Sequence, residues 1–455
     1  MSLLLKNLKQ LNRSKASVAR REEYNHRLTG LFYPLAVVLV TRFSKDGGVP
    51  DSDKRAQLLE CMITICTELI NSHGLLIQYF QQCSRFRYAR SLPNLDLAIF
   101  RLFEFLKLKQ TIKGLRYQEL TAKSWNMANT LIHILAASER MNIVLKPLEQ
   151  QYRSDTPTAT TRSIDVYLSL QIVERLQLSY WPVQWQMWLQ RSIGLGELKI
   201  ALHQSANLPK NAHTSLVYCA DILPMRFTQI KGANEIEPLC LQWDQLQVAL
   251  TSDLAQVLRS RQYETSAPLS KHLSLFSPDE RLAIAQLQYQ CYRDYPSRQS
   301  IFIDQKKEVP DLRIFIGFND VFSLLHHIGT GGGWKGVGQR MSDLLARHSA
   351  VFSDDAETSA GSAWFLRHQD DKLICLSTLE SRHTSVMNIG DLAAYMLEQT
   401  DWHQPQLGVI QRILRPQTGQ VYIELRVLSQ YAEAIVIDVQ PGVQLSTSTE
   451  DQKKK

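Results

Sequence analysis

What this chain lacks narrows it before any motif is read. Its 455 residues hold only seven cysteines, Cys61, Cys66, Cys83, Cys219, Cys240, Cys291 and Cys375. The count is odd and no Cys-x-x-Cys occurs, which argues against a disulfide framework and a zinc site. Most of the thiols fall in apolar runs, where cysteine behaves as a small hydrophobe, and a reducing cytoplasm fits. Long apolar runs are missing too. The longest, Leu31 to Val40, is broken by Pro34 and bounded by Arg27 and Arg42. A membrane span needs about 20 apolar residues, so this run reads as a core helix and no span is expected. Met1-Ser-Leu-Leu-Leu5 is too short for a secretory signal and lacks a cleavage site.

Catalytic arrangements are also missing. His326 and His327 are adjacent and so point apart, and there is no H-E-x-x-H, nucleophile elbow or Ser/His/Asp order. Asp354-Asp355 and Asp370-Asp371 read as solvated turn carboxylates. Gly331-Gly-Gly333-Trp-Lys-Gly336 fits G-x-G-x-x-G by spelling. It follows an apparent helix rather than a strand, and Lys335 is followed by Gly, so neither a dinucleotide fingerprint nor a Walker loop is built. The expectation is a protein without enzymatic activity, metal or bound cofactor.

What is present is an ordinary globular balance, 44% hydrophobic and 21% charged residues, able to bury a core. The net charge of +7 comes from 51 Lys and Arg against 44 Asp and Glu. The excess gathers in Lys453 to Lys455 and in the first segment, where Lys6, Lys9, Arg13, Lys15, Arg20, Arg21 and Arg27 face only Glu22 and Glu23. Such an arm can touch nucleic acid or acidic lipid, but a solvated helix face is the preferred reading.

Residues 1 to about 152 read as helices. Leu4, Leu5, Leu8 and Leu11 make one stripe, and Leu58, Leu59, Met62, Ile65, Cys66, Leu69 and Ile70 make another. Asn94 to Ile112 is apolar nearly all round, which suits the centre of a bundle. A further helix is expected from Tyr117 to Met141. Trp181, Trp185 and Trp188 cluster around Pro182 and read as core. Between 197 and 262 short strand-like runs precede a helix from about Asp244. Ser277-Pro-Asp-Glu280 is a capping box with Pro at the first helical position.

From Trp364 onward the pattern changes to short strands separated by turns. Ala363 to His368, Leu373 to Ser377, Leu392 to Leu397, Leu407 to Leu414 and Val421 to Leu428 each carry strand character, and Ala434 to Val439 closes the series. Val421, Ile423, Leu425 and Val427 alternate onto one side. Arg415-Pro-Gln-Thr-Gly-Gln420 and Asn388-Ile-Gly-Asp391 supply turns. The spacing suggests a small antiparallel barrel with Ile374, Leu392, Val409, Ile423, Val427 and Ile437 in its core.

This C-terminal part resembles a divergent PilZ domain of bacterial proteins that carry a helical N-terminal region. The likeness rests on Tyr295-Pro-Ser-Arg298, on Ile314-Phe-Ile-Gly-Phe-Asn-Asp-Val-Phe-Ser-Leu-Leu325 and on Trp364-Phe-Leu-Arg367. It continues through Ile389-Gly-Asp-Leu392, Leu407-Gly-Val-Ile410 and Glu424-Leu-Arg-Val-Leu-Ser429, with Leu216 to Asp221 and Leu241 to Leu246 upstream. The resemblance implies cyclic di-GMP as ligand, held by R-x-x-x-R and a later D/N-x-S-x-x-G. Two arginines would neutralise phosphate and stack on guanine, and the Gly would allow close backbone approach. Arg298 matches the first arginine, but Phe302 stands at the fifth position. In the second motif His368 stands first, with Asp370 for the Ser and Leu373 for the Gly.

The expected fold class is therefore α+β: a helical N-terminal region over 1–196, a small mixed subdomain over 197–265, and a C-terminal PilZ-like antiparallel β-barrel over 277–443. A Gly-rich and helical insertion falls near 329–362 and a disordered tail over 444–455. The expected function is a cytoplasmic signalling or adaptor protein whose degenerate PilZ-like domain docks a protein partner. The alternative is a cyclic di-GMP receptor binding through Arg298, His368, Arg412 and Arg415. Nucleic-acid binding by the basic N-terminus is a second alternative with no motif behind it.

Overall fold

The structure, a computed structural model, describes residues 1–45, 53–83, 85–152, 161–194, 196–204, 214–217, 239–263, 273–298, 312–329, 362–370, 372–385, 387–397, 405–416 and 419–429. The expected strand at Ala434 to Val439 lies outside these residues. So do Phe302, the Gly-rich and helical insertion from 330 on, and the tail.

The first part is helical: α1 (Ser2–Arg13), α2 (Val18–Lys45), α3 (Asp53–Gln82), α4 (Arg85–Gly114) and α5 (Ala122–Ala137). α4 lies at the centre against α3, α5, α7 (Ser163–Arg175) and α8 (Val183–Gly194). Ile99, Phe100, Leu102, Phe103, Phe105, Leu106 and Ile112 are completely buried, as an all-round apolar helix requires. α5 begins five residues later than periodicity suggests. The Thr121 hydroxyl caps it by accepting from the Ser124 amide, so Tyr117 to Leu120 are freed as a connection.

Two expectations need correction here. The run Leu31 to Val40 is core along one face only. Leu28, Phe32, Ala36, Val40 and Phe43 are buried, while Leu31, Leu35 and Val38 on the other face are exposed. Arg21 does not belong to a solvated basic face. It is buried and donates to Asn12 Oδ1 at 3.2 Å, to the Ser14 carbonyl at 3.2 Å and to Ser72 Oγ at 3.5 Å.

The tryptophans are core as expected. Trp181 and Trp188 stack at 6.0 Å, and Trp181 Nε1 donates to the Leu176 carbonyl. The middle segment forms a three-stranded antiparallel sheet, β3 (Ala201–Gln204), β5 (Leu239–Gln242) and β4 (Thr214–Leu216) in that spatial order, followed by α9 (Asp244–Tyr263). Its Leu239, Leu241, Trp243, Leu246 and Leu250 join the apolar core of the helices. Two short strands, β1 (Val144–Leu145) and β2 (Thr161–Arg162), pair elsewhere, with α6 (Leu148–Tyr152) between them. α10 (Pro278–Arg298) opens on the expected capping box: Ser277 N donates to Glu280 Oε2 at 3.0 Å, and Ser277 Oγ accepts from Glu280 N.

Six antiparallel strands then close on themselves: β6 (Leu312–Ile316), β7 (Ser362–Gln369), β8 (Leu373–Leu379), β9 (Leu392–Leu397), β10 (Gln406–Leu414) and β11 (Gln420–Ser429). Around the barrel the order is β10-β11-β8-β7-β6-β9. Gly390 at φ +97° and Gly419 at φ +71° sit in the two turns expected from sequence, where an L side chain would be strained. Ile374, Leu376, Ile410, Ile413, Val421, Ile423, Leu425, Trp364 and Tyr395 fill the inside. Of the expected core, Leu392 instead packs on an outer cluster with Phe315, Val321, Leu324, Leu325 and Ala394, because α11 (Phe318–Gly329) covers β6 and β9 there. A bulge between Ile410 and Arg412 turns Ile410 and Ile413 inward and leaves Val409 half-buried.

Phe100→Ala removes a fully buried ring from the central helix. It is expected to destabilise the protein by about 3–5 kcal/mol in a urea-unfolding measurement. A loss below about 0.5 kcal/mol, the range of ordinary surface substitutions, would contradict the placement of α4.

Candidate functional site at the barrel–helix junction

The barrel meets the helices along the outer face of the β10–β11 hairpin. Register places Arg412 directly opposite Glu424 across the two strands. Alternation turns both outward, and a half-solvated sheet would leave them in water. Here the 3-10 turn Leu178–Tyr180, after α7, lies over them, and both are buried.

Their polar atoms are satisfied together. Arg412 Nη1 donates to Glu424 Oε1 at 3.0 Å, and Arg412 Nε donates to Ser179 Oγ at 3.3 Å. The guanidinium stacks over the Tyr180 ring at 4.6 Å, and the Tyr180 hydroxyl donates to both Glu424 oxygens at 3.1 and 3.0 Å. Glu119 approaches Arg412 Nη2 at 3.9 Å from the crevice edge, where 41% of its side chain is exposed. Burial opposes the charge on Arg412. Tyr180, Glu424 and Glu119 more than offset it, so the guanidinium is held above its usual pKa. The Cys375 thiol is raised to about 12, mainly by burial and next by the Glu424 charge.

A second lock lies beside the first. Tyr117, between α4 and α5, takes a left-handed backbone at φ 55°, uncommon for a non-glycine residue. Its carbonyl accepts from the Arg415 amide at 3.0 Å, and its hydroxyl accepts from the Ile389 amide at 3.4 Å. The Arg415 guanidinium lies 5.7 Å from the centre of the Tyr117 ring. It donates to the Arg116 carbonyl at 3.1 Å and to the Thr384 carbonyl. Burial lowers Arg415 to about 10, and burial raises Tyr117 to about 12. Arg116 completes the contact by bridging Glu60 at 2.7 Å and Glu380 at 3.4 Å.

The residues singled out from sequence therefore part company. Arg412 and Arg415 point into the junction, and each is engaged by atoms of the protein itself. A ligand phosphate could reach them only by breaking those bonds. His368 is exposed near the end of β7, with Nε2 3.7 Å from Asp370 Oδ2. Asp370 belongs to the β7–β8 turn, where its Oδ1 accepts from the Lys372 and Leu373 amides, each at 2.8 Å. Those two bonds come first among the causes that depress its carboxyl pKa. Leu373 opens β8 opposite Arg426. Arg298 is the last residue of α10. Among the described residues no group of His, Cys, Asp and Glu could hold a metal ion, and no helix is long and apolar enough to cross a membrane.

Sequence reasoning missed Tyr117, Tyr180, Ser179 and Glu424. One available signal was the hairpin itself. Counting back equally from the Arg415 to Gln420 turn sets Arg412 opposite Ile423, one residue short of its observed partner Glu424, so the turn brings the opposite charges near each other without giving the register.

Residues 1–142 match the model of a protein family described as the N-terminal domain of the cyclic-di-GMP receptor FimW. No curated protein and no solved structure gives a significant match.

Arg412→Met strands the Glu424 carboxylate in the junction and is expected to cost about 3–5 kcal/mol in urea unfolding. Adding Glu424→Gln removes the stranded charge while leaving an acceptor for the Tyr180 hydroxyl. The double variant should recover most of the loss, and a double variant no more stable than the single would contradict the pairing.

Proposed function

We propose that this chain is a non-catalytic effector in cyclic di-GMP signalling, in which a PilZ-like barrel is held against a helical region. The observation that carries the reading is the match of residues 1–142 to the N-terminal domain of a cyclic-di-GMP receptor. The barrel supports it. The stretches that resemble a PilZ domain fall in order on β6 with α11, then on β7, the turn before β9, β10 and β11. In this reading the helical region spans 1–196, the mixed segment 197–265 and the barrel 277–443, in a cytoplasmic setting.

The dinucleotide contact is assigned to Arg298, which stands at the end of α10 on the approach to β6. Arg412 and Arg415 leave the ligand set because the junction occupies them. A site with one arginine instead of two forgoes a charge-assisted hydrogen bond of about 1.5–3 kcal/mol, so binding weaker than that of a complete site is expected.

A second reading, a barrel that docks a protein instead of the dinucleotide, is favoured by the β7–β8 turn. There Asp370 puts a carboxylate where the resemblance expects a hydroxyl, and a carboxylate repels ligand phosphates. Nucleic-acid binding is less well supported, since Arg21 is buried and Arg27 pairs with Glu23 at 2.6 Å.

Calorimetric titration of the full chain with cyclic di-GMP separates these readings. The effector reading expects measurable binding that Arg298→Ala abolishes and that Arg412→Met with Glu424→Gln leaves in place. Absence of binding up to a dissociation constant of about 1 mM, roughly −4 kcal/mol, would leave the docking reading instead. Full binding by Arg298→Ala would place the site elsewhere.

A further inference from the structure

The basic N-terminus is not used by the barrel or the junction, and its structure gives it a shape. The first 45 residues carry nine Lys and Arg against Glu22 and Glu23, while the rest of the chain carries 42 of each sign. The whole +7 of the chain thus belongs to α1, α2 and their link. On α2 the exposed side chains Arg27, Leu31, Leu35, Val38, Arg42 and Lys45 recur at three and four residues and so share one face. Leu31 is 67% exposed, Leu35 43% and Val38 60%, and the aromatic Tyr24 extends the stripe at 39%. From Thr29 to Lys45 there is no acidic residue.

We infer that this face of α2 is a docking surface for an anionic lipid bilayer. The three aliphatic side chains enter the interface, and Arg42 and Lys45 at one end of them reach headgroup phosphates, while Arg27 at the other end is paired with Glu23. A helix with an apolar stripe beside cations suits a membrane surface, where each basic side chain near anionic lipid adds to the attraction. The long cationic side chains can lie along the apolar boundary with their charges in water.

Two other occupants fit less well. A second copy packed antiparallel about the middle of the stripe would set Arg27 against Arg42 and Tyr24 against Lys45, and the acid nearest the seam, Glu23, is already paired with Arg27. A stable protein partner would need roughly 800 Å² per side, and a ridge of three aliphatics falls well short of that. The stripe is also too short to cross a bilayer, and among the described residues no helix is long and apolar enough to do so.

The test is co-sedimentation of the full chain with vesicles of phosphatidylcholine alone and of an equal mixture with phosphatidylglycerol. Binding is expected to the mixed vesicles, little to the neutral ones, and less as salt rises. Leu35→Asp should lower the bound fraction at least about tenfold, and Arg42→Glu with Lys45→Glu should do the same. Both variants change exposed side chains, so their thermal unfolding should follow the unsubstituted protein and keep any loss attributable to the surface. Failure of the unsubstituted protein to bind mixed vesicles overturns the inference, as does undiminished binding by the variants. Concentration-dependent self-association abolished by Leu35→Asp, without vesicle binding, would assign the stripe to a second copy and likewise overturn it.

Discussion

The buried pair of Arg412 and Glu424 is the constraint on which the arrangement of the two halves depends. Removing two charges from water costs several kcal/mol per ion unless geometry and additional hydrogen bonds offset it. Here Ser179, Tyr180 and Glu119, all from the helical region, supply the rest of the environment. The pair is therefore satisfied only while the turn Leu178–Tyr180 lies on the hairpin. Sliding the barrel by one residue would present apolar neighbours to Tyr180 and leave two charges without partners. Register across β10 and β11 and the docking of barrel on helices are thus one condition, set by the same four side chains.

The same contact explains how much of the molecule was legible beforehand. Strand positions, the turns at Gly390 and Gly419, and the capping box at Ser277 follow from local chemistry, and they stand where the pattern put them. Local chemistry does not say whether an outward strand face meets water or protein. Arg412 read as a cation available to phosphate because alternation places it outside the barrel, and it is outside. What the pattern omits is the turn from residue 178 that covers it, more than 230 positions earlier in the chain. Leu392 misled in the same way, since α11 gives the outer face of β6 and β9 a small core of its own. Tyr117 had no signal, because a left-handed backbone at a tyrosine is imposed by its tertiary contacts rather than favoured by its side chain.

The helical region shows the opposite failure. The apolar run Leu31 to Val40 reads as wholly internal, although its period divides it into two faces. Leu28, Phe32, Ala36, Val40 and Phe43 are buried, while Leu31, Leu35 and Val38 are exposed. Composition counts both faces alike. Distinguishing them requires knowing how many neighbours surround the helix, and α2 lies at the edge whereas α4 lies at the centre. Phe100 and Leu106 of α4 meet protein on every side, so there the all-round apolar pattern and the burial agree.

Continuity of the core decides how events at one end can be felt at the other. The side chains inside the barrel and those around α4 belong to one apolar cluster, and the polar locks at Tyr117 and Tyr180 lie along its edge. Tyr117 follows the C-terminus of α4 by three residues and holds the Arg415 amide through its own carbonyl. A shift of the β10–β11 hairpin would therefore pull on the end of the most buried helix before it disturbed any surface loop. Close-packed interiors yield by discrete repacking rather than by continuous deformation, so such a shift would be resisted until the Arg415 and Arg412 contacts broke together. Two locks from separate strand positions, one on a backbone carbonyl and one on a buried carboxylate, make the barrel and the helices a single mechanical unit.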